Sequence, residues 1–165
     1  MKTHAIKLLI PTHDGKFLAH YSQNGLVELN FPNGHALGGD GPSKNAVTAK
    51  IRAWHRTTQT ALKKMLAGEK VKKLPPLDPA GTDFQKSVWR EMRKIRSGGT
   101  KSYGEIARAI GKPKAVRAVG GACGANPIPV LVPCHRVLAA NKKLGGFSGG
   151  LGWKRKLLAA EGVVV

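Results

Sequence analysis

In the run Pro133-Cys134-His135-Arg136-Val137 a thiol stands beside an imidazole. A cysteine is a strong nucleophile only as its thiolate, and a neighbouring imidazole can take its proton near neutral pH. Adjacent residues of an extended strand point to opposite faces. Cys134 and His135 therefore need a bent backbone or an intervening water to exchange that proton. Pro127, Pro129 and Pro133 supply a stiff, non-helical approach to the pair. A Cys-His dipeptide alone is more often a buried cysteine beside a surface histidine, so the pair needs support from elsewhere in the chain. The other cysteine is Cys123, and neither sits in a Cys-x-x-Cys arrangement. That spacing supports neither a disulfide framework nor a structural zinc site.

The charge balance points to a partner. Lysine and arginine number 28 against 9 acidic residues, a formal charge of +19 over 165 residues. Self-repulsion on that scale destabilises a compact state, and a polyanionic partner explains it better than solubility does. Charge alone does not separate DNA from RNA or an anionic membrane. No stretch approaches the roughly 20 apolar residues of a membrane span, so no membrane role is expected. The start, Met1-Lys2-Thr3-His4, has no signal-peptide pattern, and a reducing cytoplasm fits the cysteine usage.

The elements that must position the chemistry divide into two halves. Residues 5–10, 16–21 and 26–31 read as a β-meander, with Asp14-Gly15 and Asn24-Gly25 supplying tight turns. A Gly- and Pro-rich loop over 32–43 precedes a helix marked by Val47, Ile51, Trp54, Leu62, Met65 and Leu66, which lasts until Gly68. Residues 70–81, with Pro75, Pro76 and Pro79, read as a linker. Thr82 and Gln85 then form a capping box ahead of a helix with Phe84, Val88, Met92 and Ile95 on one buried face. Ser102 and Glu105 form a second box, opening a short helix through Ile110. Gly111-Lys112-Pro113 breaks it, and residues 114–123 resume as a helix, the outline of a helix-turn-helix. This last helix surrounds one arginine, Arg117, with Ala115, Val116, Ala118, Val119, Gly120, Gly121 and Ala122. Glycine inside a helix costs about 1 kcal/mol relative to alanine, so the small face has a use: close approach to another backbone, of protein or of nucleic acid.

The longer string Asn126-Pro127-x-Pro129-x-x-x-Pro133-Cys134-His135-Arg136-Val137 resembles the active-site signature of the O6-alkylguanine-DNA alkyltransferases. The flanks agree: Gly81-Thr82-x-Phe84-Gln85-x-x-Val88-Trp89, Ser102-Tyr103-Gly104-x-Ile106-Ala107, Ala115-Val116-Arg117-Ala118-Val119-Gly120, Ser148-Gly149-Gly150-Leu151 and Lys154-x-x-Leu157-Leu158-x-x-Glu161-Gly162. The resemblance covers residues 75–165 almost without gaps; residues 1–74 match only in layout.

It implies an α+β fold: an N-terminal antiparallel sheet plus helix (ribonuclease-H-like) over 1–74, a linker over 75–81, and a helical, winged-helix-like subdomain with a helix-turn-helix over 82–165. It implies stoichiometric, irreversible transfer of an alkyl group from O6-alkylguanine in duplex DNA to Cys134, with O4-alkylthymine as a second candidate substrate and with no cofactor and no metal. The N-terminal half lacks cysteine, so the zinc site of some relatives cannot be built. His135 would be the base, through a water, and Glu161 would orient and charge-stabilise its imidazole, in line with the general logic of catalytic triads. Glu161 precedes Gly162 at a helix C-terminus, where the dipole disfavours an anion, so a functional reason for it is expected. Asn126 would hold the turn before the active-site strand, and Tyr103 would help protonate the departing guanine and crowd the 3′ phosphate.

Val137, through its carbonyl, and Ser148, through its backbone, would read the guanine edge. Phe147, where many relatives carry tyrosine, would stack on it, Gly149 and Gly150 would shape the closing loop, and Lys154 matches a lysine near the pocket or is a plain surface lysine. Arg117 would replace an extruded nucleotide in the stack, because chemistry on a base requires taking it out of the duplex. Ser102, Ala115, Gly120 and Gly121 would lie along the DNA, in a minor groove of roughly 6 Å that large side chains would not fit. Lys101, Lys112, Lys114 and Arg96 are candidate phosphate contacts. Cys123 and Gly124 depart from the larger apolar and basic residues of many relatives. The expected protein is a cytoplasmic, nucleoid-associated monomer that binds DNA, with cooperativity along the duplex left open. Two rivals remain: a non-catalytic lesion sensor of the same fold, which would lack the cysteine, and a cysteine hydrolase using Cys134 and His135, which would turn over.

Overall fold

A computed structural model of the chain describes residues 5–32 and 46–165. The glycine-rich loop expected over 32–43 lies, apart from Pro32, outside the described residues. Strands β1 (Ile6–Thr12), β2 (Gly15–Tyr21) and β3 (Leu26–Asn30) form an antiparallel meander in the order β1-β2-β3. β1 runs two residues past the expected end and includes Pro11, opposite Lys16. An edge strand tolerates a proline because its outward N–H has no partner to lose. Alternation along β2 buries Phe17, Ala19 and Tyr21 on one face.

Helix α1 (Ala49–Leu66) packs on that sheet, where the Tyr21 hydroxyl meets His55 Nδ1 at 2.9 Å. Its N-cap is Thr48, so Val47 precedes the helix instead of opening it. The chain that follows is no loose tether. Leu26 donates to the Pro76 carbonyl at 2.8 Å, and Asp78 donates to that of Leu26 at 2.8 Å, which covers the open edge of β3.

Both capping boxes form. Thr82 and Gln85 start α2 (Asp83–Met92), and Ser102 and Glu105 start α3 (Tyr103–Ala109). α2 ends before Ile95, which is still buried, in the turn beyond it. Helix α4 (Val116–Gly124) begins two residues later than expected and has no side-chain cap at Ala115. Trp89 of α2 donates its indole N–H to the Ala122 carbonyl at 2.8 Å and locks α4 in place.

A parallel pair of two-residue strands, β4 (Lys101–Ser102) and β5 (Val137–Leu138), then brings the start of α3 to the Cys134 segment. α5 (Leu151–Ala160) closes the molecule against α1. At that junction Gly68 (φ +74°) lies so close to the Ala160 carbonyl that an added Cβ would sit 2.0 Å from its oxygen. The two halves share one core, from Ile10, Phe17 and Leu62 through Met92, Val119 and Val132 to Leu157. No helix among the described residues is long and apolar enough to cross a membrane.

Candidate active site

The backbone at Cys134 is bent, one of the two arrangements the Cys-His pair needs: a single 3-10 turn runs over Cys134–Arg136, and the active-site strand that the resemblance implies is reduced to β5 after it. Pro133 cannot donate a ladder hydrogen bond, and Arg136 donates its backbone N–H to the Pro133 carbonyl at 3.0 Å, curling the segment. The approach is built by Asn126. Its side-chain oxygen accepts from the Ile128 N–H at 3.0 Å and its amide donates to the Val132 carbonyl at 2.8 Å. Between these anchors Val130 sits at φ +73°. A β-branched residue pays about 1–2 kcal/mol there, which the pinned turn and its complete burial sustain.

Behind the thiol lies an ionic relay. His135 is fully buried, and its Nε2 meets Glu161 Oε1 at 2.9 Å. His135 Nδ1 has no hydrogen-bond partner among the described residues. Glu161 is the C-cap of α5, and its side chain is 1 % exposed. Arg136 compensates an anion at that unfavourable helix end: its Nε donates to both Glu161 oxygens at 3.0 and 3.1 Å and its Nη2 to Oε1 at 2.7 Å, while Nη1 donates to the Ile95 carbonyl at 2.6 Å. Burial pushes the Glu161 carboxyl up, but the hydrogen bonds from His135 and Arg136 outweigh it and hold the group at about 2. Burial lowers His135 despite Glu161, so the ring rests neutral. Burial also raises the Cys134 thiol, with the Asn126 amide and the Lys154 ammonium pulling it back.

The residues in front of Cys134 come from three elements. Tyr103 opens α3, and burial, then the charges of Cys123 and Cys134, raise its phenol. Lys154 of α5 is no surface lysine: it is fully buried and donates to the carbonyls of Val137 (2.8 Å), Gly146 (3.1 Å) and Leu144. It thus nails the loop over residues 144–150 to β5. Phe147 of that loop stands edge-on to Phe31 at 5.8 Å, and Phe31 stacks further on Trp153 and Phe17. Gly149 leaves the room this ring needs, since a Cβ there would lie 2.6 Å from Phe31. Gly150 (φ +94°) caps α5, and Ser148 is exposed. Cys123 packs its sulfur 3.6 Å from that of Met92, and burial, then the nearby Cys134, push its thiol up to about 12.

Arg117 lies apart from this group, exposed on the first turn of α4, with Ala115 just ahead of it. An added Cβ at Gly120, Gly121 or Gly124 would meet nothing within 4 Å. These three glycines therefore face open space, while Val119, Ala122 and Cys123 on the other side of α4 are buried in the core. Ser102 is occupied as the α3 N-cap. Lys101 lies 4.0 Å from Glu91, Lys112 stands over the Phe84 ring, and Lys114 and Arg96 are exposed.

Two contributors escape sequence reasoning: Arg136, named in the motif without a task, and Phe31, through which the N-terminal sheet reaches the closing loop. Phe31→Ala is expected to cost about 2–3 kcal/mol, the low end for a phenylalanine that is only partly buried. It should also slow alkyl transfer from free O6-benzylguanine. A thermal melt and a single-turnover rate check both; an unchanged rate would show that the loop keeps its shape without the ring.

Comparison with known proteins shows the family. Residues 83–163 match the family described as 6-O-methylguanine DNA methyltransferase, DNA binding domain. A methylated-DNA–protein-cysteine methyltransferase of Methanosarcina acetivorans is 50% identical over 107 residues, 65% of this chain and 69% of that protein. One from Mycolicibacterium paratuberculosis is 48% identical over 120 residues, 73% and 72% of the two chains. The crystal structure of Mycobacterium tuberculosis OGT in complex with DNA superposes with a TM-score of 0.75 at 38% identity, covering 93% of this chain and 90% of that one. The matches to these relatives, over 65–93% of the chain, place it in the methylated-DNA–protein-cysteine methyltransferases, DNA-binding repair proteins that move the alkyl group of O6-alkylguanine onto one of their own cysteines.

Proposed function

We propose that Cys134 is the alkyl acceptor and that His135, Glu161, Asn126 and Tyr103 serve it. The observation that carries the reading is the state of His135: one ring nitrogen is held by Glu161 and the other is unpartnered, in a turn that also carries the thiol. His135 takes the Cys134 proton through a water, and Glu161, itself clamped by Arg136, stabilises the imidazolium. The thiolate sulfur forms a bond to the alkyl carbon as the carbon–O6 bond breaks. The electron pair leaves with guanine, which recovers a proton with help from the Tyr103 hydroxyl. A thioether does not hydrolyse at neutral pH, so each molecule acts once. The Val137 carbonyl accepts from Lys154 but keeps a second lone pair, which suits it to read the guanine edge with the Ser148 backbone. Phe147, Gly149 and Gly150 shape the closing loop, and O4-alkylthymine fits the same chemistry.

The target nucleotide rotates out of the duplex, and Arg117 fills its place while Ala115, Gly120 and Gly121 lie along the minor groove. The exposed Arg117 and the open glycine face support this docking. The protein acts as a monomer in a reducing, DNA-containing compartment, with 82–165 as the DNA-binding and acceptor subdomain, 75–81 as the connection and 1–74 as its support. Arg117→Ala tests the reading: repair of duplex O6-methylguanine should fall by about 100-fold while reaction with the free modified base stays near wild type, since only the duplex requires flipping. Equal losses would give Arg117 another task.

Gly121→Ala separates groove docking from folding. Alanine removes a helix-interior glycine and should stabilise the free protein by about 0.5–1 kcal/mol. The extra methyl should nonetheless weaken binding to duplex DNA severalfold in a titration. Unchanged affinity would take this part of α4 off the DNA.

A further inference from the structure

Behind the Cys134 segment a groove of about 710 Å³ runs between the exposed side of α2 and the chain that follows α1. Its floor is aliphatic, formed by Val71, Leu74, Ile95 and Leu131. Its rim carries Lys70, Arg90, Arg93 and Arg96 against a single carboxylate, Glu69. These four cations have no salt-bridge partner among the described residues. A second hollow of about 260 Å³ adjoins it across Arg90 and Arg93 and adds Leu77, Pro79, Lys86 and one carboxylate, Asp78, which accepts from the Ser22 hydroxyl at 2.6 Å. Together they make an elongated trough with an apolar bottom and a cationic lip.

That pairing selects among polyanions. The phosphates of a duplex make no use of an aliphatic floor. A single strand stacks its bases on aromatic side chains. The larger hollow has no aromatic lining residue among those described, and Trp89 in the smaller one is 3 % exposed with its N–H bonded to Ala122. A second copy of this chain, at +19, is repelled. Carboxylates interspersed with apolar side chains satisfy both the lip and the floor.

We propose that this trough docks an extended acidic segment of a partner protein, with its carboxylates on Lys70, Arg90 and Arg93 and one or two apolar side chains over Ile95 and Leu131. The trough shares no lining residue with the open glycines of α4; of the candidate phosphate contacts only Arg96 stands on its rim.

Fluorescence anisotropy with a fluorescein-labelled peptide, Asp-Glu-Leu-Asp-Phe-Asp-Asp, tests it on the full chain at physiological salt. Binding should saturate in the micromolar range and weaken by about tenfold in the Arg90→Glu/Arg93→Glu protein, a difference of about 1.4 kcal/mol. The same peptide with serine in place of leucine and phenylalanine should bind at least about fivefold more weakly, because the floor is then unused. The double variant should react with free O6-benzylguanine at the wild-type rate, which shows that it is folded. Equal binding of both peptides, or equal binding by both proteins, would reduce the trough to unspecific charge attraction and overturn the proposal. So would an oligothymidylate that displaces the peptide and is itself weakened tenfold by the two substitutions, which would make the trough a single-strand site.

Discussion

Replacing Cys134 by alanine is expected to abolish alkyl transfer completely while leaving affinity for undamaged duplex DNA within about twofold of wild type, a difference under about 0.5 kcal/mol. The thiol is 4 % exposed, so its loss removes no binding surface. The turn that carries it is held by backbone and Asn126 hydrogen bonds that do not involve the sulfur. Cys123 does not take over. Its thiol is pushed up to about 12 and packs on Met92, and no base sits beside it, so its thiolate fraction at neutral pH is negligible. The opposite substitution, Cys123→Ala, should accordingly retain transfer. Intact-mass analysis after incubation with one equivalent of O6-methylguanine duplex reads both: one added methyl on wild type and Cys123→Ala, none on Cys134→Ala. A methyl on the Cys134→Ala protein would make Cys123 an acceptor. Turnover beyond one equivalent by wild type would replace transfer with hydrolysis.

Features fixed by neighbouring residues were legible without a structure. The turns at Gly15 and Gly25 and both capping boxes are short-range hydrogen-bond patterns, and each forms where its residues stand. The shape of the Cys134 segment was not. It depends on Asn126 reaching Val132 six residues on, and on a two-residue pairing between Lys101–Ser102 and Val137–Leu138. Neither leaves a periodicity to read. Lys154 could be read as a pocket lysine or a surface one, because burying an ammonium requires three carbonyls at one point, two of them in an irregular loop. Arg136 was hidden for a different reason. A guanidinium beside a base opposes its protonation, and only the fold reveals that Arg136 spends its charge on Glu161. The glycines of α4 were conspicuous in the sequence, but which of them face open space is set by how the helix is rotated against the core.

That arginine makes Glu161 the centre of the second large effect, because one substitution there should disturb both rate and stability. Glu161→Gln removes the charge that stabilises the imidazolium, and transfer should slow by about 10²- to 10⁴-fold, the range in which such orienting carboxylates act. It also leaves Arg136, with its side chain 7 % exposed, as a buried cation without an anion, which costs about 3–5 kcal/mol. The acid response follows from the directions of the shifts. His135 is lowered from 6.5, so below that pH the unfolded chain gains a proton that the folded one refuses, and stability begins to fall. Glu161 is lowered from 4.5 to about 2, so its contribution is complete above 4.5 and is lost as pH drops toward 2. Wild-type Tm should therefore be level from about pH 6.5 to about 8, decline below 6.5 and steepen below about 4.5; Glu161→Gln should lose the steeper limb. The double variant Arg136→Met/Glu161→Gln removes the orphaned cation with the carboxylate and should recover most of the stability at pH 7, since replacing both charges of a buried pair is often close to neutral. It should not recover the rate, because His135 still lacks its anion. Chemical denaturation and single-turnover transfer, measured on all three proteins, separate the two roles. If rate returns together with stability, Glu161 does no more than neutralise Arg136, and the relay ends at His135.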